Sequence, residues 1–258
     1  MKTVIIPTLN EEANIGRLIP AIYDYLGEED VSVVVVDDAS EDSTCEVVEK
    51  LSADYGVTLF ERKGQRGISS AVRYASRKAG NGHIAVMDAD FSHHPKYLPV
   101  LFKKIGLGYD IAVGSRYVTG GGVDGWPSYR LFLSLGATVL AKALFRFPIR
   151  DPMSGYAAFK SSQILIDGIA NSESKFLIDV LASMDHLRIV EIPIVFRNRK
   201  LGSSKLTGVT LLGYLNQILT RYLQRGKRGV WTFRPSQLEL PIDPVHLAAL
   251  QQTDITHQ

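Results

Sequence analysis

Strand-like and helix-like hydrophobic patterns alternate along the first 113 residues of the chain. Short apolar runs at 4–6, 31–36, 57–60, 84–87 and 111–113 alternate with helical periods at 13–26, 45–51, 67–79 and 97–105. Strands separated by helical segments indicate βαβ units. The pattern therefore predicts an α/β fold with a mostly parallel sheet that helices cover on both faces.

Polar residues follow each predicted strand directly. They occupy segments 7–12, 37–40, 63–67, 88–90 and 114–117. In open parallel sheets, ligands bind outside the carboxyl ends of the strands, where loops and helix N-termini converge. We therefore expect the functional site at this edge of the sheet.

Two aspartates separated by one residue, Asp88 and Asp90, follow the fourth predicted strand. Alternate residues of a strand share a face, so the two carboxylates are expected to repel each other, and a divalent cation relieves that repulsion. Mg²⁺ and Mn²⁺ prefer carboxylate and phosphate oxygens. An isolated Asp-x-Asp is more often a solvated strand end, but here Asp37 and Asp38 end a neighbouring strand. Cations that suit a nucleotide diphosphate occur at the same predicted edge: Lys63, Arg66 and Arg116.

The charge balance and the cysteine content exclude several classes of protein. The 29 lysines and arginines nearly balance the 27 aspartates and glutamates, so the net charge of +2 predicts no nucleic-acid partner. Cys45 is the only cysteine and no Cys/His spacing resembles a zinc site, which favours a reducing cytosolic setting. The N-terminal apolar run is too short for a signal peptide, and no stretch reaches the roughly 18 uncharged apolar residues of a membrane span.

The second half of the chain has a different pattern. Segment 128–147 is strongly apolar but is interrupted by Lys142 and Arg146. The elements expected beyond residue 150 are strands at 157–160 and 189–196 and helices at 174–184 and 208–225. The last of these strands contains Pro193, which predicts a position near a sheet edge. The polar segment 226–258 is expected to be a loosely ordered tail.

Four spaced motifs carry a family resemblance: IIPTLNE at 5–11, VVDDAS at 35–40, DAD at 88–90 and GSRY at 114–117. In this order and spacing they resemble the GT-A inverting glycosyltransferases of family 2. Within that family, MDADFSHHPK at 87–96, GGVDGW at 121–126 and RKLGSSKL at 199–206 are similar to dolichyl-phosphate (polyprenyl-phosphate) mannose synthases. The resemblance implies one GT-A, Rossmann-like domain over residues 1–225, with 226–258 outside it.

The resemblance implies transfer of mannose from GDP-mannose to a polyprenyl phosphate such as dolichyl phosphate, assisted by Mg²⁺ or Mn²⁺. The residues matched to nucleotide binding are Pro7, Thr8, Asn10, Glu11, Asp37, Asp38, Lys63, Gly67, Asp88 and Ala89. Those matched to metal binding are Asp88, Asp90 and Ser92. Those matched to the acceptor phosphate are Arg116, Arg130, Ser134, Arg199, Ser204 and Lys205. Those matched to catalysis are Asp90, Arg116, Asp151, Arg199 and Lys205.

Several of these matches have structural alternatives. Many relatives have glutamine where this chain has Ser92. Asp151 matches an acidic residue near the transferred sugar, but an Asp-Pro pair also forms turns. For Lys63, Arg66 and Gly67, the alternative is an ordinary helix start. His93 and His94 are expected to form a polar turn that caps the following helix, rather than to bind the metal.

The segments 128–146 and 208–225 are interpreted as amphipathic interfacial helices that lie on a membrane and guide the polyprenyl chain. A core helix is the alternative for both. The basic residues expected beside anionic headgroups are Arg221, Arg225, Lys227 and Arg228. This interpretation places the protein peripherally on the cytoplasmic side of a membrane, the endoplasmic reticulum in a eukaryote or the cell membrane in a prokaryote. Some relatives use small membrane subunits, which are therefore candidate partners.

The implied chemistry needs no strong general base. A phosphate monoester, with a second pKa of about 6, is largely ionised near neutral pH and can attack the anomeric carbon in a single displacement with inversion. The nearest alternative uses UDP-glucose or UDP-N-acetylglucosamine with the same lipid. A non-catalytic, sugar-nucleotide-binding regulatory subunit is the alternative from another class. A sugar-nucleotide pyrophosphorylase and a dinucleotide oxidoreductase are disfavoured, because no glycine-rich loop of either kind follows the first strand.

Overall fold

The computed structural model describes residues 1–145, 147–170, 175–183, 186–198 and 208–225. Seven strands form the main sheet: β1 Lys2–Thr8, β2 Val31–Asp37, β3 Val57–Glu61, β4 His83–Val86, β5 Ile111–Ser115, β7 Ala157–Lys160 and β8 Ile189–Pro193. Two short strands, β6 Gly122–Asp124 and β9 Val195–Arg197, pair separately. The mostly parallel sheet expected from the sequence is confirmed.

The strand order in the main sheet is β3-β2-β1-β4-β7-β5-β8. Every neighbouring pair is parallel except those of β7, which lies antiparallel between β4 and β5. Ala157, the first residue of β7, pairs with Val86 and Val113 near the carboxyl ends of β4 and β5. The segment that precedes β7 therefore lies at the same edge as the loops that follow the parallel strands.

Helices cover both faces of the sheet. The bounds are α1 Glu12–Leu26, α2 Thr44–Leu51, α3 Ile68–Lys78, α4 Leu98–Gly106, α5 Ser128–Phe145, α6 Gln163–Gly168, α7 Phe176–Ser183 and α8 Gly208–Arg225. Because strand residues alternate between faces, Ile6 packs with α1 and α4 in one core, whereas its neighbour Ile5 packs with α3 and α7 in the other. Two buried cores explain why the strands read as continuous apolar runs.

The segment 189–196 was expected to form one strand near an edge. It is divided instead at Ile194, whose N–H donates to the carbonyl of Ser115 at 3.0 Å and whose carbonyl accepts from the N–H of Gly122. The first part, β8, is the edge strand that Pro193 predicted, whereas the second, β9, pairs with β6. The sequence did not predict the short elements β6 and α6.

Helices α5 and α8 leave apolar side chains exposed. The exposed large residues of α5 are Tyr129, Phe132, Leu133, Leu135, Val139 and Leu140, and those of α8 are Leu219, Tyr222 and Leu223. By length and composition alone, α5 could cross a membrane: its mean hydropathy is 1.2 and 22% of it is buried. The sequence led us to expect no segment that is long and apolar enough to span a membrane. Helix α5 meets the criterion because its two cations among 18 residues do not lower the mean hydropathy below 1.2.

Candidate active site

The loops that follow β1 and β2 are joined by a chain of hydrogen bonds through Asp37. The carboxylate of Asp37 accepts from the hydroxyl of Thr8 at 2.9 Å and from the N–H of Ser40 at 2.7 Å. The hydroxyl of Ser40 also donates to Asp37 and accepts from the N–H of Asn10. Asp37 is fully buried, so in this structure it orders the two loops. Direct contact with a nucleotide, which the sequence led us to expect, is not favoured by this geometry.

Asp38 connects the end of β2 to the start of α3. One carboxylate oxygen accepts from Nε of Arg62 at 2.8 Å, and the other accepts from the N–H of Gly67 at 2.8 Å. Arg62 is itself buried and donates to the hydroxyl of Ser70. The sequence did not single out Arg62, although this residue directly follows β3 and precedes the segment in which cations were expected. Gly67 thus joins the site through its backbone, and the exposed Lys63 lies on the same loop.

Three residues at this edge have backbone conformations that L-amino acids rarely adopt. Asn10, Ala39 and Phe91 have φ values of 55°, 64° and 59° and follow β1, β2 and β4 respectively. Asparagine tolerates this region, but alanine and phenylalanine are strained in it. Strain of this kind is concentrated at functional sites because the surrounding contacts must maintain it. The three loops therefore form a preorganised edge.

The Asp-x-Asp segment lies in a turn and not on a strand. Strand β4 ends at Val86, so the pleat of the strand does not align the two carboxylates, contrary to the expectation from the sequence. A local bond orders them instead: Asp90 accepts from the N–H of Ser92 at 3.0 Å. The carbonyl of Ser92 in turn accepts from the N–H of Arg197. Asp90 is buried, whereas about a third of the Asp88 side chain is exposed.

His93 holds this turn from inside. Its Nδ1 accepts from the N–H of Asp88 at 3.1 Å, while its ring stacks on Tyr156 and meets Phe196 edge-on. Burial lowers the pKa of His93, although the charges of Asp88 and Asp90 oppose this. Because Nδ1 accepts a hydrogen bond, the proton of the neutral ring is on Nε2. His93 thus orders the turn, as the sequence suggested, although it is a buried side chain and not a surface cap.

The cap that was expected from the two histidines comes from His94. Its side chain accepts from the N–H of Lys96 at 3.2 Å, at the start of a single 3₁₀ turn that precedes α4. The carbonyl of His94 accepts from the hydroxyl of Tyr156 at 3.0 Å. The segment that follows the Asp-x-Asp turn is therefore fixed to Tyr156, which immediately precedes the antiparallel strand β7.

Arg116, which follows β5, forms a buried ion pair with Asp151. Its Nε and Nη2 each donate to the carboxylate at 2.7 Å, and its backbone N–H donates at 3.0 Å. Burial opposes ionisation of Arg116, but the bonds and the charge of Asp151 outweigh it and raise its pKa. Asp151 is fully buried. It therefore positions Arg116, and the expected contact of Asp151 with a sugar is not favoured by this geometry.

Glu191 of β8 supports this pair. Its carboxylate accepts from the N–H groups of Arg150 and Asp151 at 2.8 and 3.0 Å. Burial raises the pKa of Glu191, and the hydrogen bonds only partly offset that effect. The Asp-Pro turn that was considered as an alternative is thus real, and it presents Asp151 to Arg116.

The ring of Trp126 lies beside Arg116 and also contacts a second arginine, Arg130. The Arg116 guanidinium carbon lies 5.6 Å from the Trp126 ring centre, and that of Arg130 lies 4.3 Å from the same ring. The hydroxyl of Ser134 is 2.8 Å from that of Tyr117. The structure thus brings together the three described residues matched to the acceptor phosphate. The indole N–H of Trp126 is shielded from solvent and makes no hydrogen bond to any part of the described chain.

The remaining predicted site residues divide into two groups. Pro7 lies in β1, one residue before its end, whereas Glu11 and Ala89 lie on the segments that follow β1 and β4. Glu11 donates its backbone N–H to the hydroxyl of Thr44 at 2.9 Å and accepts from the side chain of Asn14. Arg199, Ser204, Lys205, Lys227, Arg228 and the tail at 226–258 lie outside the described residues.

The residues of the turn fit a divalent ion only in part. Within the described ranges, no group of three or more His, Cys, Asp or Glu side chains is placed to hold a metal. Asp88 and Asp90 offer two hard carboxylate groups, and the backbone N–H of Ser92 already bonds to Asp90. Mg²⁺ and Mn²⁺ commonly bind through one or two carboxylates plus phosphate oxygens. The donor set therefore suits an ion that a bound diphosphate completes.

One cation expected at a membrane surface points to the protein interior. Nε of Arg221 donates to the fully buried carboxylate of Asp179 at 2.9 Å. Asp179 also accepts from the side chains of Ser69 and Gln217 at 3.1 and 3.0 Å. The prediction that Arg221 faces lipid headgroups is therefore wrong, because a buried carboxylate requires a compensating charge.

Comparison with protein families identifies one match. A model of Glycosyl transferase family 2 matches residues 3–164. The chain is 39% identical over 220 residues to the dolichol-phosphate mannosyltransferase of Pyrococcus furiosus, covering 84% of this chain and 62% of that protein. It is 34% identical over 215 residues to the polyprenol monophosphomannose synthase of Mycolicibacterium smegmatis, covering 80% of each. The dolichol-phosphate mannosyltransferase of Mycosarcoma maydis is 32% identical over 232 residues, which is 85% of this chain and 78% of that protein.

Solved structures show the same fold. Glucosyl-3-phosphoglycerate synthase from Mycobacterium tuberculosis, crystallised with Mn²⁺, UDP-glucose and phosphoglyceric acid, superposes with a TM-score of 0.64 at 19% identity. The match covers 87% of this chain and 79% of that one. It confirms the GT-A-like fold, and the curated relatives confirm the resemblance to mannose synthases.

Proposed function

The chain belongs to glycosyl transferase family 2, and on that premise we propose that it transfers mannose from GDP-mannose to a polyprenyl phosphate such as dolichyl phosphate. The observation that carries the proposal is the order of groups along one edge of the sheet. The loops after β1 and β2 suit a nucleoside, the Asp88–Asp90 turn suits a metal diphosphate, and Arg116 and Arg130 suit a second anion.

The donor side would be bound by residues that the fold has already ordered. Asp88, Asp90 and Ser92 would hold Mg²⁺ or Mn²⁺, which when bound neutralises the charge that develops on the departing diphosphate. His93 keeps Asp88 in place through the backbone N–H of Asp88, and Asp38 holds the start of α3 through the N–H of Gly67. Because these contacts exist before substrate binds, little reorganisation accompanies the reaction.

The acceptor side would align two anions that otherwise repel each other. Asp151 neutralises one part of the Arg116 guanidinium, so Arg130 and the unbonded N–H of Trp126 become the principal donors to the lipid phosphate. The phosphate, ionised at neutral pH, then attacks the anomeric carbon opposite the leaving diphosphate. A single displacement of this kind inverts the anomeric configuration.

The exposed apolar faces of α5 and α8 would contact the membrane in which the acceptor lies. Phe132 is 82% exposed and Leu223 is 65% exposed, which is unusual for large apolar side chains in water. An interfacial position on the cytoplasmic side would bring the lipid phosphate to Arg130, at the start of α5. Binding of the isolated protein to liposomes distinguishes direct contact from contact that requires a small membrane subunit.

The decisive experiment supplies GDP-mannose, Mn²⁺ and a short polyprenyl phosphate in detergent, followed by mass analysis of the lipid. We expect a mannosylated lipid and stoichiometric GDP. Parallel reactions with UDP-glucose and UDP-N-acetylglucosamine test the donor. If the protein binds GDP and liposomes but releases no GDP from the complete mixture, it is a regulatory subunit instead.

The variant Asp90→Ala tests the metal site. We expect loss of turnover, because one of two carboxylate ligands is removed. Asp54→Ala is the matched control, since Asp54 is exposed and precedes β3 at the opposite edge of the sheet. Near-normal turnover by the Asp90 variant would remove the metal from its proposed place.

A further inference from the structure

Strand β9 contacts both halves of the site. Its last residue, Arg197, donates its backbone N–H at 3.3 Å to the carbonyl of Ser92, which follows the Asp88–Asp90 turn. The same strand pairs in parallel with β6, and β6 leads directly into the segment that contains Trp126. A strand of three residues therefore links the Asp88–Asp90 turn to the acceptor side of the site.

The side chain of Phe196, in the middle of β9, is buried between the two halves. Its ring centre lies 5.2 Å from that of His93 and 5.2 Å from that of Trp126, and both contacts are edge-on. The guanidinium carbon of Arg116 lies 5.8 Å from the same ring centre. Phe196 therefore contacts the histidine that holds the Asp88–Asp90 turn and also two groups of the acceptor site. Because protein interiors are closely packed, a smaller side chain here would leave a gap that its neighbours fill only in part.

Asn198 follows β9 directly and orients Arg130 through its side chain. Its Oδ1 accepts from Nη1 of Arg130 at 3.3 Å, and its Nδ2 donates to the carbonyl of Gly125 at 3.3 Å. Its backbone N–H donates to the carbonyl of Asp124 at 3.0 Å. A Cβ atom at Gly125 would lie 3.2 Å from that of Asn198, and the φ of 74° at Gly125 also favours glycine. Asn198 is thus fixed to the loop after β6, and it holds Arg130 beside the ring of Trp126.

Resting on the proposed function, we propose that residues 195–198 form a crosspiece that sets the separation between the donor diphosphate and the acceptor phosphate. Phe196 and Asn198, neither of which the sequence singled out, are its positioning residues. A single displacement requires the attacking oxygen about 3–3.5 Å from the anomeric carbon, and an error of about 1 Å costs about 100-fold in rate. The two phosphate sites belong to loops that follow different strands, so the groups packed between those loops determine this distance. The crosspiece supplies those groups.

Phe196→Leu tests the alignment, because leucine keeps an apolar side chain but removes the ring. We expect kcat for mannose transfer from GDP-mannose to a short polyprenyl phosphate to fall about 10- to 100-fold, with KM for either substrate changed less than about threefold. The matched control is Phe102→Leu, since Phe102 is a buried phenylalanine of α4, outside the site. Both variants should lower Tm, but the Phe102 variant should keep its kcat, so the comparison separates alignment from stability.

Asn198→Ala tests the link to Arg130 without a need for turnover. In calorimetric titrations of the full chain with a short polyprenyl phosphate in detergent, we expect affinity to fall about 3- to 10-fold, because a bond that orients the acceptor cation is lost. Affinity for GDP with Mn²⁺ should change less than about twofold. Asn198→Asp should recover most of the loss, since a carboxylate oxygen at the same place accepts from Arg130. Asn216→Ala, at an exposed asparagine of α8, is the matched control and should change neither affinity.

The outcomes distinguish failure of the crosspiece from failure of the proposed function. A normal kcat in Phe196→Leu, or an equal fall in Phe102→Leu, would overturn the role of Phe196, and unchanged lipid affinity in Asn198→Ala would overturn that of Asn198. If Phe196→Leu fails to fold, the variants at the exposed Asn198 still decide the proposal. A wild-type chain that binds both GDP and polyprenyl phosphate but forms no mannosylated lipid contradicts the proposed function alone. A wild-type chain that binds no polyprenyl phosphate refutes both.

Discussion

Truncation of Asp151 should destabilise the protein far more than truncation of an exposed carboxylate whose closest ion-pair distance is nearly the same. Asp151→Ala leaves the Arg116 guanidinium buried without its partner, since the two side chains are 0% and 8% exposed. Removing one member of a buried pair typically costs about 3–5 kcal/mol, because the remaining charge loses its compensation. For a chain of this size, that corresponds to a fall in Tm of roughly 6–20 °C.

The chain provides a matched control. Arg77 and Asp167 form an ion pair at 2.8 Å, close to the 2.7 Å of the buried pair, but their side chains are 49% and 48% exposed. We expect Asp167→Ala to change the free energy of unfolding by less than about 1 kcal/mol. The two pairs therefore have nearly the same closest contact distance but differ in burial and in hydrogen bonding, since Asp151 also accepts from Nε and the backbone N–H of Arg116.

Chemical denaturation of Asp151→Ala, Arg116→Met and the double variant isolates the pair. The double variant should be more stable than the sum of the single losses predicts, with a coupling free energy of at least about 2 kcal/mol. A coupling below about 0.5 kcal/mol would refute the claim that the carboxylate exists to hold Arg116. A loss in Asp151→Ala no larger than that in Asp167→Ala would do so as well.

Three further predictions concern other parts of the molecule. Ala39→Gly should raise the free energy of unfolding by up to about 1 kcal/mol in chemical denaturation, because glycine relieves the φ of 64°; a loss would contradict the strain. Burial, followed by the charges of Asp37 and Glu61, raises the pKa of Cys45 to about 12. At pH 8, iodoacetamide should therefore label Cys45 about 1,000-fold more slowly in the folded than in the unfolded chain, whereas comparable rates would refute that pKa. Phe132→Glu should weaken liposome binding about 10-fold or more with little change in unfolding, because the side chain is 82% exposed; unchanged binding would exclude this face as the membrane contact.

Much of the fold could be predicted from local patterns. The five strands expected in the first 113 residues all form, because the strands of a sheet that helices cover on both faces are mostly apolar. The location of the site followed from the same reasoning, since polar residues at strand ends can only meet at the carboxyl edge. The pairing of the aspartates in a turn was less predictable. The sequence predicts that the fourth strand extends to Met87, one residue beyond its actual end at Val86, which would align the two aspartates. The positive φ of Phe91 in the turn has no signal in the sequence.

The orientation of α8 shows where sequence patterns fail. The pattern separates leucines from polar residues and predicts that Arg221 faces water or headgroups. In the structure Gln217 and Arg221 point inward, while Leu219 and Leu223 are exposed. The reason is Asp179, a buried carboxylate 38 and 42 residues away in sequence, whose compensation outweighs the gain from burying those leucines.

The sequence by itself determined the parallel sheet, the polar residues at the carboxyl ends of its strands and the family motifs, because each of these depends on residues that are neighbours along the chain. Only the tertiary structure decided which charges are partners. The pairs Asp38 with Arg62 and Arg116 with Asp151, and the bonds of Gln217 and Arg221 to Asp179, join residues 24 to 42 positions apart. Such contacts depend on how strands are ordered and how helices rotate, and the antiparallel insertion of β7 between β4 and β5 fixes both around the site.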